Sequence, residues 1–249
     1  MTISKTRTTK RRTKKMSKAI VLLSGGLDSC VTASIAKAAG HELHFLNVFY
    51  GQRHIKERLC AVEIAAYHRA PITQLDIMGF SNMVKGSTIL TDPTTEVPAN
   101  RTDEEMGHGK APSYVPGRNT IMLALAQSLA EAVGADVIYC GVNAVDYSGY
   151  VDCRPAFIAA WNELAQVSTF AGVGGKPIWV EAPLIEMTKV EIVQKGKELG
   201  APMYLSWSCY AGLATPCNVC DSCKIRNAAF SALGDVDPWV LANETAIDD

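Results

Sequence analysis

The chain has 249 residues, of which 48% are apolar and 20% charged, and its formal net charge is −1. That size and balance suit one large globular α/β domain, alone or with a small appendage. No apolar stretch approaches the roughly 20 residues that cross a bilayer, and no apolar core follows the N-terminal charges as a secretory signal requires, so the reading is a cytoplasmic protein whose eight cysteines stay reduced.

The sequence begins with a basic stretch. Residues 1–18 hold eight of the 24 basic residues and no acid, which leaves 16 basic against 25 acidic groups, a net of −9, for the remainder. Like charges spaced by Thr and Ser predict a disordered tail over 1–17, with Met16 as a natural start. The acidic body argues against a general nucleic-acid binder.

The apolar run Ala19–Leu23 predicts a buried strand. Gly25 and Gly26 follow as a tight turn, and a helical pattern then runs from Ser29 to Ala39. A strand, a glycine turn and a helix N-terminus gather backbone N–H groups about one point, with the positive end of the helix dipole behind them. This is a phosphate cradle without the G-x-x-x-x-G-K-[ST] pattern, and no nearby lysine is placed to reach the β/γ-phosphates. Ser24 and Ser29 flank the glycines instead. Asp28 either holds Mg²⁺ together with phosphate oxygens or caps the helix. Cys30, one residue past the turn, reads as a small buried hydrophobe.

Further strands are predicted at Glu42–Val48, Ile72–Ile77, Asp136–Gly141 and Ile178–Glu181, with helices at Gln52–His68, Arg118–Val133, Pro155–Phe170 and Thr188–Leu199. The alternation, with strands rich in Val, Ile and Leu, predicts an α/β fold with a doubly wound, mostly parallel sheet over residues 18–200. Ligands in such sheets bind beyond the carboxyl ends of the strands. The segments Ser24–Ser29, Tyr50-Gly51-Gln52-Arg53-His54 and Gly141-Val142-Asn143 should therefore converge. Residues 79–117 lack periodicity and are long for a plain connection, so they are either a lid that orders over substrate or an irregular decoration of the sheet.

After Gly200 the pattern changes. Cys209, Cys217, Cys220 and Cys223 form C-x7-C-x2-C-x2-C. Overlapping close pairs supply four thiolates from tight turns, which favours a structural zinc site with a closed coordination sphere in a segment spanning 201–249. An iron–sulfur cluster and redox thiols are the alternatives. Asn218 can take the left-handed conformation such a turn requires, and the site should pin a C-terminal helix onto the domain.

Ser24-Gly25-Gly26-Leu27-Asp28-Ser29 resembles the S-G-G-x-D-S loop of the ATP pyrophosphatase (PP-loop) superfamily. Together with Tyr50-Gly51-Gln52-Arg53-His54, Val115-Pro116-Gly117-Arg118-Asn119, Gly141 to Tyr150, Asp152-Cys153-Arg154-Pro155, Ser208-Cys209-Tyr210 and the cysteine trio, it resembles the 7-cyano-7-deazaguanine synthase (QueC) family from about residue 18 to residue 232. Val151 stands where the family pattern has proline, and Asn218 where glycine is usual. The resemblance implies conversion of 7-carboxy-7-deazaguanine, ammonia and ATP to the nitrile, with structural zinc and with Mg²⁺ accompanying ATP. It also implies a homodimer acting on a free base, with no nucleic-acid or membrane partner.

On that resemblance the nucleotide lies against Leu22, Leu23, Ser24, Gly25, Gly26, Leu27, Asp28, Ser29, Cys30, Val31 and Thr32. Asp28, Arg53 and Arg118 are the candidate catalytic residues. Arg53 and His54 neutralise phosphate or merely cap their helix. Arg118, after a Pro-Gly turn, can take phosphate or the substrate carboxylate in bidentate fashion. A deazaguanine presents ring N–H and amine donors side by side, so Asp146 and Asp152 are candidate acceptors, and Tyr147 or Tyr150 can stack on the base. Rival readings are a tRNA-thiolating or protein-modifying relative, an amidating synthetase and a non-enzymatic nucleotide sensor.

Overall fold

The structure is a computed structural model that describes residues 16–53, 55–92, 94–107, 109–143 and 149–244. The basic residues 1–15, His54, Asp146 and Tyr147 lie outside the described residues.

Five parallel strands form one sheet in the order β3-β2-β1-β4-β5. They are β1 (Lys18–Leu22), β2 (Glu42–Phe49), β3 (Ile72–Asp76), β4 (Val137–Tyr139) and β5 (Trp179–Glu181). The central strand β1 is buried on both faces, so its sequence is a continuous apolar run rather than an alternating one. Ala19 and Val21 face one core with Cys30, Phe45 and Ile64. Ile20 faces the other with Leu46, Leu123, Ile138 and Trp161.

The helices are α1 (Leu27–Ala38), α2 (Ile55–Tyr67), the short α3 (Gly79–Met83) and α4 (Asp103–Gly107), and α5 (Arg118–Val133). They continue with α6 (Pro155–Ser168), α7 (Phe170–Val173), α8 (Lys189–Glu198), α9 (Asp221–Ala232) and α10 (Pro238–Glu244). The doubly wound sheet has the predicted parallel character, with the strand order turning back at β1, between β2 and β4. Such a reversal opens a crevice at the carboxyl edge.

The expected helix Pro155–Phe170 ends earlier, at Ser168, because Thr169 leaves helical geometry and its hydroxyl accepts from Gly172 N to start α7. A capping box opens α8: Thr188 Oγ1 accepts from Glu191 N, and the Glu191 carboxylate accepts from Thr188 N at 2.8 Å. The cap fixes where Lys189, the first helical residue, emerges.

The 79–117 segment packs through Ile89, Leu90 and Val115 around Tyr50. The C-terminal segment packs Phe230 and Ala229 of α9 against Leu27 and Val31 of α1 and Ile192 of α8. Its four cysteines lie in a cluster with Trp207 and Trp239.

Candidate active site and cysteine centre

The crevice beyond β1 is a cavity of about 350 Å³, bounded by the glycine turn, the end of β4, residues of 79–117 and the cysteine segment. The turn is held by its own hydroxyls. Ser24 Oγ accepts from Gly26 N at 3.1 Å, and Ser29 Oγ accepts from Gly25 N at 3.3 Å and donates to Gly26 O at 3.0 Å. Asn47 of β2 donates to Leu23 O at 2.8 Å. From the C-terminal side, Trp207 N donates to Gly25 O at 2.9 Å.

Two glycines at the cavity are packed too closely for a side chain to fit without displacement. Gly25 has φ 98°, and a Cβ there would lie 1.9 Å from Glu57 O and 2.8 Å from Ala61 N. The loop can therefore lie against α2 only without a side chain. A Cβ on Gly141 would lie 2.9 Å from Thr32 Oγ1 and 3.1 Å from Ser29 N, so the end of β4 presses directly on the start of α1.

Of the residues predicted to surround nucleotide, Leu22, Leu23, Ser24 and Gly26 line the cavity, as do Leu27, Asp28 and Ser29. Gly25 forms the turn beneath it. Cys30, Val31 and Thr32 are fully buried inside α1, where Cys30 and Val31 face two different cores and Thr32 Oγ1 donates to Asp28 O.

Asp28 faces a partner the sequence did not disclose. Lys189 Nζ donates to both its carboxylate oxygens at 2.7 Å, across 161 residues of chain. A lysine thus lines the cavity beside the glycine turn after all, supplied by the capped start of α8 rather than by the loop. Lysine at a helix start carries no local motif, and only the capping box Thr188–Glu191 marked the position.

Arg53 is turned elsewhere. Its guanidinium donates to the carbonyls of Thr95, at 2.8 Å, and Asp92, and its backbone N donates to Leu90 O. It ties the 79–117 segment to the start of α2 and is absent from the cavity lining. Arg118 does line the cavity. Gly117, with φ 67°, turns the chain so that Arg118 begins α5 at the cavity wall. Its guanidinium reaches Tyr50 Oη at 3.5 Å and forms no ion pair among the described residues.

Tyr150 also lines the cavity, with its hydroxyl 2.5 Å from Ser113 Oγ, and Tyr210 joins this hydroxyl cluster. Burial raises the Tyr50 and Tyr210 phenols above their ordinary value, so both stay protonated. Asp152 is buried and does not line the cavity. Its Oδ2 accepts from Asn119 N at 3.2 Å and its carbonyl from Asn119 Nδ2 at 3.1 Å. The carboxylate therefore caps the first turn of α5 beside Arg118.

Cys153 and Cys140 reach the cavity wall. Burial pushes their thiols up to about 11 and about 12, and Cys30 likewise to about 12. A neutral thiol is a poor nucleophile, so none of the three is set up for covalent catalysis.

At the far side Cys209, Cys217, Cys220 and Cys223 bring their sulfurs within 4.8 Å of one another. Backbone N–H groups point at them, from Ala211 and Cys217 to Cys209 Sγ and from Cys220 to Cys217 Sγ. Asn218 takes φ 59° in the turn between them. Four converging sulfurs can ligate a metal ion. Residues adjacent to these cysteines, Ser208, Tyr210, Asp221 and Ser222, line the cavity, so the cysteine centre and the glycine turn are two sides of one cavity.

A parallel sheet with a glycine phosphate turn at its reversal point and a four-cysteine centre beside it defines the chain as an α/β protein of the PP-loop ATP pyrophosphatase class. The profile of the family described as "Queuosine biosynthesis protein QueC" matches residues 18–234. The chain belongs to that family. A 7-cyano-7-deazaguanine synthase of Nostoc punctiforme is 47% identical over 225 residues, covering 90% of this chain and 100% of the relative. The synthase of Ralstonia pickettii is 49% identical over 89% of this chain and 97% of the relative. That of Anaeromyxobacter dehalogenans is 44% identical over 93% and 99%.

Proposed function

We propose that the protein is an AMP-forming carbon–nitrogen ligase that converts 7-carboxy-7-deazaguanine and ammonia to 7-cyano-7-deazaguanine at the expense of ATP, in queuosine biosynthesis. The observation that carries the reading is the placement, in one cavity, of a phosphate turn and an arginine without an acidic partner among the described residues, in a chain of this family.

The chemistry follows from the electrophile. A carboxylate resists ammonia because oxide is a poor leaving group. Attack of a carboxylate oxygen on the α-phosphorus breaks the bond to the bridging oxygen, and pyrophosphate leaves onto the turn formed by Ser24, Gly25, Gly26 and Ser29. Lys189 balances the charge that develops on those oxygens. Arg118 holds the substrate carboxylate in line, which is its main contribution to rate. Ammonia then displaces AMP from the acyl adenylate to give the amide. A second ATP adenylates the amide oxygen with release of pyrophosphate, and breaking of the C–O bond with AMP as leaving group, together with loss of the two amide protons, gives the nitrile. No step needs an enzyme nucleophile, in keeping with the neutral thiols of Cys140 and Cys153.

Mg²⁺ prefers one or two carboxylates together with phosphate oxygens; Asp28, whose oxygens both accept from Lys189, would hold it by sharing them with that lysine, and the ion would supply charge neutralisation there. Zinc suits the cysteine centre, since four thiolates at about 2.3 Å from a tetrahedral ion demand the close sulfur spacing seen, and its role is structural. Arg53 and Asp152 act as positioning residues, and Tyr150 presents its ring and hydroxyl to the base. No helix among the described residues is long and apolar enough to cross a membrane. A cytoplasmic homodimer working on the free base, without nucleic acid, fits the acidic body.

The test is to incubate the zinc-replete chain with ATP, Mg²⁺, ammonium and 7-carboxy-7-deazaguanine and to follow AMP and the base by mass. AMP, a transient amide and the nitrile are expected, and removal of residues 1–15 should leave turnover unchanged. ATP left intact in the presence of bound nucleotide overturns the substrate assignment. Loss of turnover on removing the basic stretch favours a polynucleotide substrate.

A further inference from the structure

Resting on the substrate reading above, we infer that Asp221 is the carboxylate that reads the guanine-like edge of the base. Three described acids reach the cavity: Asp28, Glu57 and Asp221. Asp28 is engaged by Lys189 through both oxygens. Glu57 belongs to the phosphate end, since its Oε1 would lie 3.1 Å from a Cβ on Gly26. Asp221 belongs to a different segment, the cysteine turn, between Cys220 and Cys223.

Its two oxygens have different fates. Oδ2 accepts from Arg101 Nη1 at 2.8 Å. Oδ1 is buried without a hydrogen-bond partner among the described residues, an arrangement that costs free energy unless something completes it. A salt bridge serving only to tie Arg101 to the cysteine turn does not account for the second oxygen.

The carboxylate is also held still, as a recognition group must be. The two flanking cysteines fix its backbone. On its other side residues 99–101 are strapped to the same turn by the Ala99–Cys220 bridge, by Asn100 N donating to Val219 O at 2.8 Å and by Lys224 Nζ donating to Arg101 O. A 7-deazaguanine offers its ring N1–H and its 2-amino group side by side, and a fixed carboxylate accepts from both. The 7-carboxylate lies on the opposite rim of the base, so the base would span from Asp221 toward Arg118. Asp221 is thus a specificity-determining residue, one that touches the base but not the reacting atoms.

The experiment is calorimetric titration of the zinc-replete full chain with 7-carboxy-7-deazaguanine and with its analogue lacking the 2-amino group. The wild-type protein should prefer the parent base by about 10- to 100-fold, the range for hydrogen bonds to a charged group. Asp221→Ala should bring the two affinities to within about 3-fold of each other, with ATP affinity and zinc content unchanged. Wild-type preference retained in a zinc-replete Asp221→Ala protein overturns the assignment. Should the alanine variant lose zinc, the near-isosteric Asp221→Asn decides: parent-base affinity reduced about 10-fold or more supports the assignment, and unchanged affinity overturns it. A wild-type chain that binds ATP but neither base refutes the substrate reading itself, which is a different result from loss of discrimination in the variants.

Discussion

Lys189 and Asp28 meet at 2.7 Å with both side chains partly screened from solvent, so each sets what the other can do. Replacing Lys189 by Met removes the only lysine among the described residues that lines the cavity and leaves both Asp28 oxygens without that donor. Because a preorganised cation acts on charge that develops only in the transition state, the turnover rate should fall by about 10²- to 10³-fold while ATP affinity changes much less. Pyrophosphate release measured beside equilibrium nucleotide binding separates the two, and a rate within about 3-fold of wild type would remove Lys189 from the chemistry. The buried thiols make a second prediction at this scale. Burial raises Cys30 and Cys140 to about 12 and Cys153 to about 11, whereas an unfolded thiol titrates near 8.5. The folded state therefore holds protons that the unfolded state releases, and the stabilisation is complete below about pH 8.5 and lost as pH rises toward 11–12. Urea midpoints should decline from pH 9 to pH 11, and less steeply in Cys30→Ala. Equal slopes for the two proteins would show that Cys30 is not part of the effect.

At the scale of elements, the glycine turn and helix α2 are one unit, because the loop touches the α2 backbone with no room for a side chain. Gly25→Ala must displace a Cβ from 1.9 Å of Glu57 O and adopt φ 98° besides. The cost is about 1–3 kcal/mol of backbone strain before any loss of packing. Both the melting temperature and ATP affinity should fall, whereas Gly40→Ala, at φ 86° with nothing within 4 Å, should lower stability alone. ATP binding preserved in Gly25→Ala would mean the loop can bind phosphate away from α2. The turn itself was legible in the sequence because strand, glycines and helix are contiguous, and β1 was legible because a strand buried on both faces is an unbroken apolar run. Contacts across distant elements were not. Nothing near Asp28 announces Lys189, and nothing near Asp221 announces Arg101, 120 residues earlier. Asp152 shows the converse: its residue type and loop position suggested substrate, while its hydrogen bonds to Asn119 describe the start of α5. Arg53 likewise has the charge for phosphate, but its guanidinium donates to the carbonyls of Asp92 and Thr95.

The whole molecule closes its cavity with two segments that a sequence reading keeps apart, the 79–117 connection and the cysteine turn. Trp207 joins them to the nucleotide side. Its backbone N donates to Gly25 O at 2.9 Å, its indole N donates to Cys209 O at 2.9 Å, and its ring meets Trp239 edge-on at 5.4 Å between centroids. Lys56 of α2 lies 4.3 Å from the centre of the same ring, a cation–π contact that adds to the join. Four thiolates without a cation repel one another, so stripping a bound metal should open the turn that carries Cys209, and Trp207 should move with it. Chelation is therefore expected to lower the melting temperature on the order of 10 °C, to red-shift tryptophan emission as Trp207 and Trp239 separate, and to weaken ATP binding at a loop the metal does not touch. All three changes should reverse on adding Zn²⁺ back. Replacing Trp207 by Phe keeps the backbone donor to Gly25 but removes the indole bond to Cys209 O, so chelation should then cost less ATP affinity than in the wild-type chain. Metal-free protein that binds ATP with undiminished affinity would show that the cysteine centre braces the C-terminal helices alone, and that the Trp207–Gly25 bond carries no coupling between the two sides of the site.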